Sequence, residues 1–184
     1  MKRILFLCAL LGLVGSAALE AQNEKSRMLI VYYSYSGNTQ TLAKEIQKAT
    51  GADLFEIKTV EAYPEEYQAV VDQAKKEIAD RVRPAIQALP ENLEDYDVVF
   101  VGSPNWWSTI APPVSTLLSK VNLKGKTVVP FITHGSGGMA DCEKDVKALC
   151  PRSDFKKGLA INGNVAEKSS VAVQKWLKEI GLGK

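Results

Sequence analysis

Residues 34–39 (S-Y-S-G-N-T) place hydroxyl side chains and a glycine between a predicted strand and a predicted helix. At such a junction, free backbone N–H groups and the positive end of the helix dipole suit a bound phosphate. The segment has no Lys or Arg, and it lacks both the Walker ending and the G-x-G-x-x-G fingerprint. The alternative is that Asn38 or Thr39 only caps an ordinary helix.

A second segment, residues 102–113 (G-S-P-N-W-W-S-T-I-A-P-P), carries two adjacent tryptophans after another predicted strand. A loop at a sheet edge cannot easily bury both rings, whereas a planar ligand offers a face for aromatic stacking. We therefore expect one ring to contact a ligand and the other to cover the protein's own core. Trp106 is the candidate for the ligand-facing ring.

The third segment is residues 133–138 (T-H-G-S-G-G), where glycines allow backbone amides to approach a flat ligand closely. His134 is the single histidine of the chain. It is either an ordinary surface or capping residue or a group that exchanges a proton beside the ligand. A metal site is not expected, because no second histidine is present to share it.

Strand and helix patterns alternate along the chain and position these three segments. Strands are predicted at residues 28–33, 53–60, 97–102, 127–133 and 155–161. Helices are predicted at residues 39–50, 64–83, 113–121, 139–149 and 167–180. This alternation is typical of an α/β fold with a doubly wound, five-stranded parallel sheet, in which the three segments meet at the carboxyl ends of the strands.

The motifs Y-S-Y-S-G-N-T, G-S-P-N-W-W and T-H-G-S-G-G, each after a strand and in this order, resemble those of the short-chain flavodoxins. The resemblance is to flavodoxin-like proteins with a W-W-x-T-x-x-P-P segment in the second loop. It implies strand order 2-1-3-4-5 and a flavodoxin-like FMN-binding domain over residues 27–184.

The resemblance also assigns residues to the cofactor FMN. The phosphate would be held by Ser34, Tyr35, Ser36, Gly37, Asn38 and Thr39. The ribityl chain and one side of the isoalloxazine would be framed by Ser103, Pro104, Asn105, Trp106 and Trp107. The other edge of the ring would be lined by Thr133, His134, Gly135, Ser136, Gly137 and Gly138.

Composition limits the class of function. The 184 residues are 46% hydrophobic and 24% charged, which is typical of one soluble globular domain. A net charge of +2 argues against a nucleic-acid surface. It also departs from the strongly acidic flavodoxins that carry electrons to basic partners.

Three functions are compatible with the motifs. The first is an FMN-binding redox protein that carries electrons to or from a protein partner. The second is an FMN-dependent oxidoreductase that reduces a small quinone-like acceptor. The third is a flavin-free docking module, which the intact phosphate segment disfavours. No separate catalytic nucleophile or acid–base pair is predicted.

The first 21 residues have the pattern of a secretory signal peptide. Lys2 and Arg3 precede an apolar run at residues 4–14, and small residues follow. Cleavage after Ala18 or Ala21 fits equally well. The run is shorter than the ~20 residues that span a bilayer, so we expect export to the periplasm or outside the cell without a stable membrane anchor.

Two cysteines, Cys142 and Cys150, lie in and after one predicted helix. A continuous helix would hold them about 12 Å apart, too far for a disulfide. A bridge requires the helix to end before Cys150. We expect two small buried apolar residues instead.

Overall fold

A computed structural model describes residues 26–183 of the chain. The predicted signal peptide, residues 1–21, lies outside the described residues. Within them, every helix is too short or too polar to cross a bilayer.

Strands and helices alternate through the described residues, as the sequence pattern predicts. The strands are β1 (Met28–Tyr32), β2 (Asp53–Glu56), β3 (Val98–Trp106), β4 (Thr109–Ile110), β5 (Thr127–His134), β6 (Asp154–Phe155) and β7 (Leu159–Asn162). The α-helices are α1 (Asn38–Thr50), α2 (Tyr67–Ala79), α3 (Pro112–Lys120), α4 (Cys142–Leu149) and α5 (Ser170–Glu179). Short 3-10 segments occur at Leu93–Asp95 and Gly163–Lys168.

The parallel strands lie in the order β2-β1-β3-β5-β6, and β7 also pairs with β5. β6 and β7 pair with successive parts of the same strand, β5. Together they therefore form one edge strand with an interruption. The predicted order 2-1-3-4-5 is therefore confirmed, with β5 as the fourth strand and β6–β7 as the fifth.

Pro130 explains the interruption in the edge strand. The carbonyl of Val128 accepts from Lys156, so the backbone groups of β5 residues 128, 130 and 132 point toward the edge strand. Proline has no N–H to donate there, and pairing stops after Phe155. It resumes at Leu159, opposite Phe131.

Alternation along the central strands produces two core layers. Leu29 and Val31 of β1 face one layer, which includes side chains from α2, α3 and α4. Ile30 and Tyr32 face the other, which is built mainly with α1 and α5. Because successive strand side chains point to opposite faces, this sheet is buried on both sides.

The predicted strand 53–60 and helix 64–83 are both longer than the observed β2 and α2. β2 ends at Glu56 because its partner β1 ends at Tyr32. α2 begins after Glu66, whose carboxylate accepts from the N–H groups of Gln68 and Ala69. It ends at Ala79, shortly before Arg81 adopts a φ of 54°.

β3 extends beyond the predicted end at Gly102. It continues to Trp106 because β4, which was not predicted, pairs with it in an antiparallel hairpin. Both tryptophans of the second loop are therefore placed at the tip of a β-hairpin instead of in an irregular loop.

Cys142 and Cys150 are buried free thiols, which confirms the expectation of two small buried apolar residues. Burial raises the pKa of Cys142 to about 12 and that of Cys150 to about 11. Both thiols thus stay protonated and unreactive at neutral pH. We expect Ellman's reagent to label neither cysteine in the folded protein at pH 8 and both after unfolding in guanidinium; rapid labelling of the folded protein would contradict this burial.

Candidate functional site

The first loop, residues 34–39, leads into α1, whose N-cap residue has no side chain to cap the helix. Gly37 occupies the N-cap position of α1 with φ 87°, and the first turn of α1 contains no acidic residue. Ser34 Oγ accepts from the N–H of Gln40 at 3.2 Å. No acceptor within residues 26–183 pairs with the five backbone N–H groups of residues 35–39.

This arrangement has the chemistry of an anion site. Five free donors and the positive end of α1 lie together, and no carboxylate of the helix's first turn competes for them. The alternative from the sequence, an Asn38 or Thr39 side-chain cap, is not what the structure shows. The residues present fit a bound phosphate.

A buried hydroxyl pair joins the first loop to the third. Thr39 Oγ1 lies 2.7 Å from Thr133 Oγ1, and both residues are almost fully buried. These two predicted site residues therefore hold the loops together from beneath, and the exposed parts of the site lie above them.

A fourth loop, which the sequence analysis missed, also reaches this edge. Asn162 Nδ2 donates to the carbonyl of Gly135 in the third loop. Gly163 packs so closely on Asn38 that a Cβ there would lie 2.5 Å from Asn38 Nδ2. The signal was present as I-N-G-N after the last strand, where polar and glycine residues follow a strand end as in the other loops.

The second loop is braced from inside by Ser103. This residue is fully buried, and its hydroxyl accepts from Ala111 N at 2.9 Å and donates to the carbonyl of Pro104 at 2.8 Å. Ser103 thus positions the loop from the core and does not present its hydroxyl at the site surface, whereas Pro104 is only partly buried.

The hairpin turn holds two non-glycine residues in the left-handed region. Trp107 has φ 52° and Ser108 has φ 69°. A two-residue hairpin turn of this kind normally carries Asn-Gly or similar residues, so this one is strained. Strain of this kind persists only where the surrounding structure imposes it, and it is common at binding sites.

The two tryptophan rings have different surroundings. Trp106 is half-buried, and its ring makes edge contacts with Tyr33, Tyr35 and Tyr63 at centroid distances of 5.7, 6.1 and 5.1 Å. Trp107 is 51% exposed. Trp106 therefore makes the core contacts that were expected of Trp107. The expectation that Trp106 also contacts the ligand stays a prediction.

Two of the tyrosines around Trp106, Tyr33 and Tyr63, are kept uncharged by their surroundings. Burial raises the pKa of Tyr33 and of Tyr63 well above that of a free phenol, and for Tyr63 its hydrogen bond to Glu77 adds to the effect. Tyr35 is fixed by a hydrogen bond from its hydroxyl to the carbonyl of Pro64 at 2.8 Å. The second loop thus packs on a cluster of three tyrosine rings.

Asn105 joins the second loop to the third. Its Nδ2 donates to the carbonyl of Gly138 at 2.9 Å, and its Oδ1 accepts from the N–H of Ser108 at 3.0 Å. Gly137 lies close enough that a Cβ there would be 3.1 Å from Asn105 Nδ2. Since both ends of the amide are engaged, Asn105 sets the separation of the two loops and supports the strained turn.

We predict that Asn105→Ala and Asn105→Asp distinguish the effects of these two hydrogen bonds. The alanine variant loses both, which lowers the free energy of unfolding by about 1–3 kcal/mol. The aspartate variant keeps the acceptor for Ser108 and loses the donor to Gly138. In native-state hydrogen exchange, the Ser108 amide should lose protection in the alanine variant only.

Asn122→Ala is the matched control, because Asn122 Oδ1 accepts only from Lys124 N in a remote exposed turn. Unchanged Ser108 exchange in Asn105→Ala would show that the amide does not support the turn.

The third loop offers further free donors. The backbone N–H groups of residues 135–138 have no acceptor among residues 26–183, and three of these residues are exposed. His134 Nδ1 is buried without a hydrogen-bond partner in the same part of the chain. Buried nitrogen atoms of this kind are normally satisfied, so His134 is a second indication that a polar ligand group belongs here.

The fold and the site together define a flavodoxin-like α/β protein: a doubly wound parallel sheet with phosphate-type and glycine-rich loops at the carboxyl ends of its strands. A family model described as Flavodoxin matches residues 27–180. The chain belongs to the flavodoxin family.

Solved structures agree with this assignment. A protein from Bacteroides eggerthii described as a flavoprotein is 31% identical, with a TM-score of 0.73, covering 85% of this chain and 98% of its own. One from Bacteroides uniformis, described likewise, is 28% identical, with a TM-score of 0.75 and coverages of 84% and 99%. A flavoprotein from Lactobacillus acidophilus, solved in complex with FMN, is 25% identical, with a TM-score of 0.65 and coverages of 82% and 98%.

Proposed function

We propose that this protein binds FMN across its first, second and third loops and carries electrons to or from a protein partner. The observation that carries the proposal is the set of five free N–H groups in residues 35–39 at the start of α1. Membership in the flavodoxin family and the FMN complex of the Lactobacillus acidophilus neighbour support FMN as the ligand.

The residues of this chain bind and orient the cofactor, and FMN supplies the one- and two-electron chemistry. The amides of residues 35–39 would hold the phosphate with dipoles alone, because the loop has no cationic side chain. The free amides of residues 135–138 suit the carbonyl-bearing edge of the ring. Hydrogen bonds of Asn105, Thr39 and Thr133 join the first and second loops to the third and keep them in place.

A second candidate is an FMN-dependent oxidoreductase that reduces a small quinone-like acceptor. One feature of the surface favours it: the Trp107 ring is half-exposed beside the site. An exposed ring there can stack on a small aromatic acceptor, whereas a carrier that docks only proteins does not need one. A flavin-free docking module is the weakest alternative, because the phosphate loop retains its free donors.

Stepwise anaerobic reduction of the FMN-loaded protein, followed by visible absorption, separates the candidates. Reduction in two resolved one-electron steps supports the carrier. Reduction in a single two-electron step supports the oxidoreductase. Failure to bind any flavin contradicts both and leaves the docking module.

We also propose that the protein is exported, with cleavage after Ala18 or Ala21. The support is the charged start, short apolar run and small residues of the first 21 positions. The mass of the protein recovered from the periplasm or medium of expressing cells should correspond to a chain beginning at Leu19 or Gln22. Recovery of the full-length chain from the cytoplasm alone would contradict export.

A further inference from the structure

A cavity of about 300 Å³ lies between α2 and the hairpin that carries the two tryptophans. One wall is a single face of α2, formed by Tyr67, Val70, Val71 and Ala74 at helical spacing. The opposite wall is formed by the second loop. We call this cavity the α2 pocket.

The walls of the α2 pocket suit a neutral flat molecule. Tyr35, Tyr67, Trp106 and Trp107 provide aromatic surface, and the α2 residues add aliphatic surface. The one amide side chain of the lining, Asn105, already has both ends hydrogen-bonded. The lining therefore offers few hydrogen-bonding groups, which favours a ligand with few polar atoms.

The pocket differs from the part of the site that suits the polar edge of a flavin. None of its lining residues comes from the third loop, residues 133–138, where the free amides are. It nevertheless shares Tyr35 with the first loop and Asn105, Trp106 and Trp107 with the second. A molecule in the α2 pocket would therefore lie next to a flavin that occupied those loops.

Two aromatic side chains at the pocket have no role in the core. Tyr67 is 74% exposed and Trp107 is 51% exposed. Trp107 is kept over α2 by a hydrogen bond from Nε1 to the carbonyl of Val71 at 3.1 Å, with Lys75 Nζ 5.0 Å from its ring centroid. Its left-handed backbone is of the strained kind that is common at binding sites, so the exposed ring points to a ligand.

We propose that the α2 pocket binds a small neutral aromatic acceptor of the quinone class, of one or two fused rings, in contact with Trp106 and Trp107. This inference rests on the second candidate function and adds where the acceptor binds and what size it has. A volume of about 300 Å³ is at the lower end for small-molecule sites, which fits one or two rings and not a peptide segment.

The chain contains three tryptophans, which makes the test selective. Trp106 and Trp107 line the pocket, whereas Trp176 packs in the other core layer against Phe100. In the full protein labelled with ¹⁵N-tryptophan, three indole N–H signals can be followed during titration with 2-methyl-1,4-naphthoquinone. The titration is run once without FMN and once with FMN at saturation.

We expect the Trp106 and Trp107 signals to shift saturably in both titrations, while the Trp176 signal stays in place. Tyr67→Ser should weaken the quinone affinity about three- to tenfold through the loss of one aromatic contact. Val171→Ser, at an equally exposed apolar position on α5, should leave it unchanged. Both substitutions are at the surface, so neither is expected to disturb folding.

Three results would overturn the proposal. Shifts seen only without FMN would mean that the flavin itself fills the pocket. An absence of shifts in both titrations would mean that no such site exists. Equal movement of all three signals would mean non-specific binding. Flavin fluorescence in the same samples reports FMN binding separately, so a failure of the FMN proposal is distinguishable from a failure of this one.

Discussion

Replacing Ser36 with aspartate is expected to weaken FMN binding at least tenfold. Ser36 is exposed in the middle of the free-amide loop, where its hydroxyl accepts from Asn38 Nδ2 at 3.3 Å. The new carboxylate would stand against the phosphate with no Lys or Arg in the loop to offset it. Repulsion of two charges at about 4 Å near a surface is about 4 kcal/mol before screening, which exceeds the 1.4 kcal/mol of a tenfold change.

Ser36→Asn is the matched control, because asparagine has nearly the shape of aspartate without its charge. The dissociation constant of FMN, measured by quenching of flavin fluorescence, should change much less in this variant. The loss in Ser36→Asp should also shrink as salt is added. If both variants bind FMN as the unaltered protein does, the phosphate does not lie at this loop.

Gly102→Ala is expected to cause the largest loss of stability. Gly102 lies in the buried part of β3, and a Cβ there would lie 2.6 Å from Phe131 Cε2 and 2.7 Å from Tyr32 Cβ. Both neighbours are buried in the central strands and have little room to move. Overpacking of this kind costs about 3 kcal/mol, which corresponds to a melting temperature roughly 6–12 °C lower.

Gly135→Ala provides the comparison. No atom lies within 4 Å of a Cβ at Gly135, and its φ is not in the left-handed region. Thermal unfolding followed by circular dichroism should therefore place this variant within a few degrees of the unaltered protein. A Gly102→Ala variant that unfolds at the same temperature as the unaltered protein would show that the packing around Gly102 has room for a methyl group.

Much of the fold could be predicted because its signals are local. Buried strands such as β1 are continuous apolar runs, and glycine follows α1 at the point where the helix ends. The topology follows from the alternation of strands and helices together with the family resemblance. The three loops were predicted at one edge because parallel strands bring their carboxyl ends together.

The differences between the predicted and observed elements depend on contacts between residues far apart in the sequence, which a local pattern does not show. The gap between β6 and β7 arises because Pro130 faces the edge strand, and its orientation is known only once the pairing is known. The β3–β4 hairpin was not predicted because Trp107-Ser108 is not a usual sequence for its turn. α2 proved shorter than its apolar pattern because Glu66 caps it.

The sequence indicated which loops lie together, but not where the polar atoms of these loops point. Ser103, Thr39 and Thr133 were expected to contact the cofactor, yet their hydroxyls are engaged within the protein. Both ends of the Asn105 amide are also hydrogen-bonded within the protein, one to the third loop and one to Ser108 in its own hairpin. The sequence does not show in which direction each polar atom points. That direction decides whether a residue can bind a ligand or instead holds the loops together.

The central claim is that the free amides of residues 35–39 hold the phosphate of FMN. It is tested most directly by measuring the dissociation constants of FMN and of riboflavin, which lacks the phosphate, with the same purified protein. Charge-assisted hydrogen bonds contribute about 1.5–3 kcal/mol each, so FMN should bind at least ten- to a hundredfold more tightly than riboflavin. Equal affinities, or binding of neither flavin, would contradict the claim.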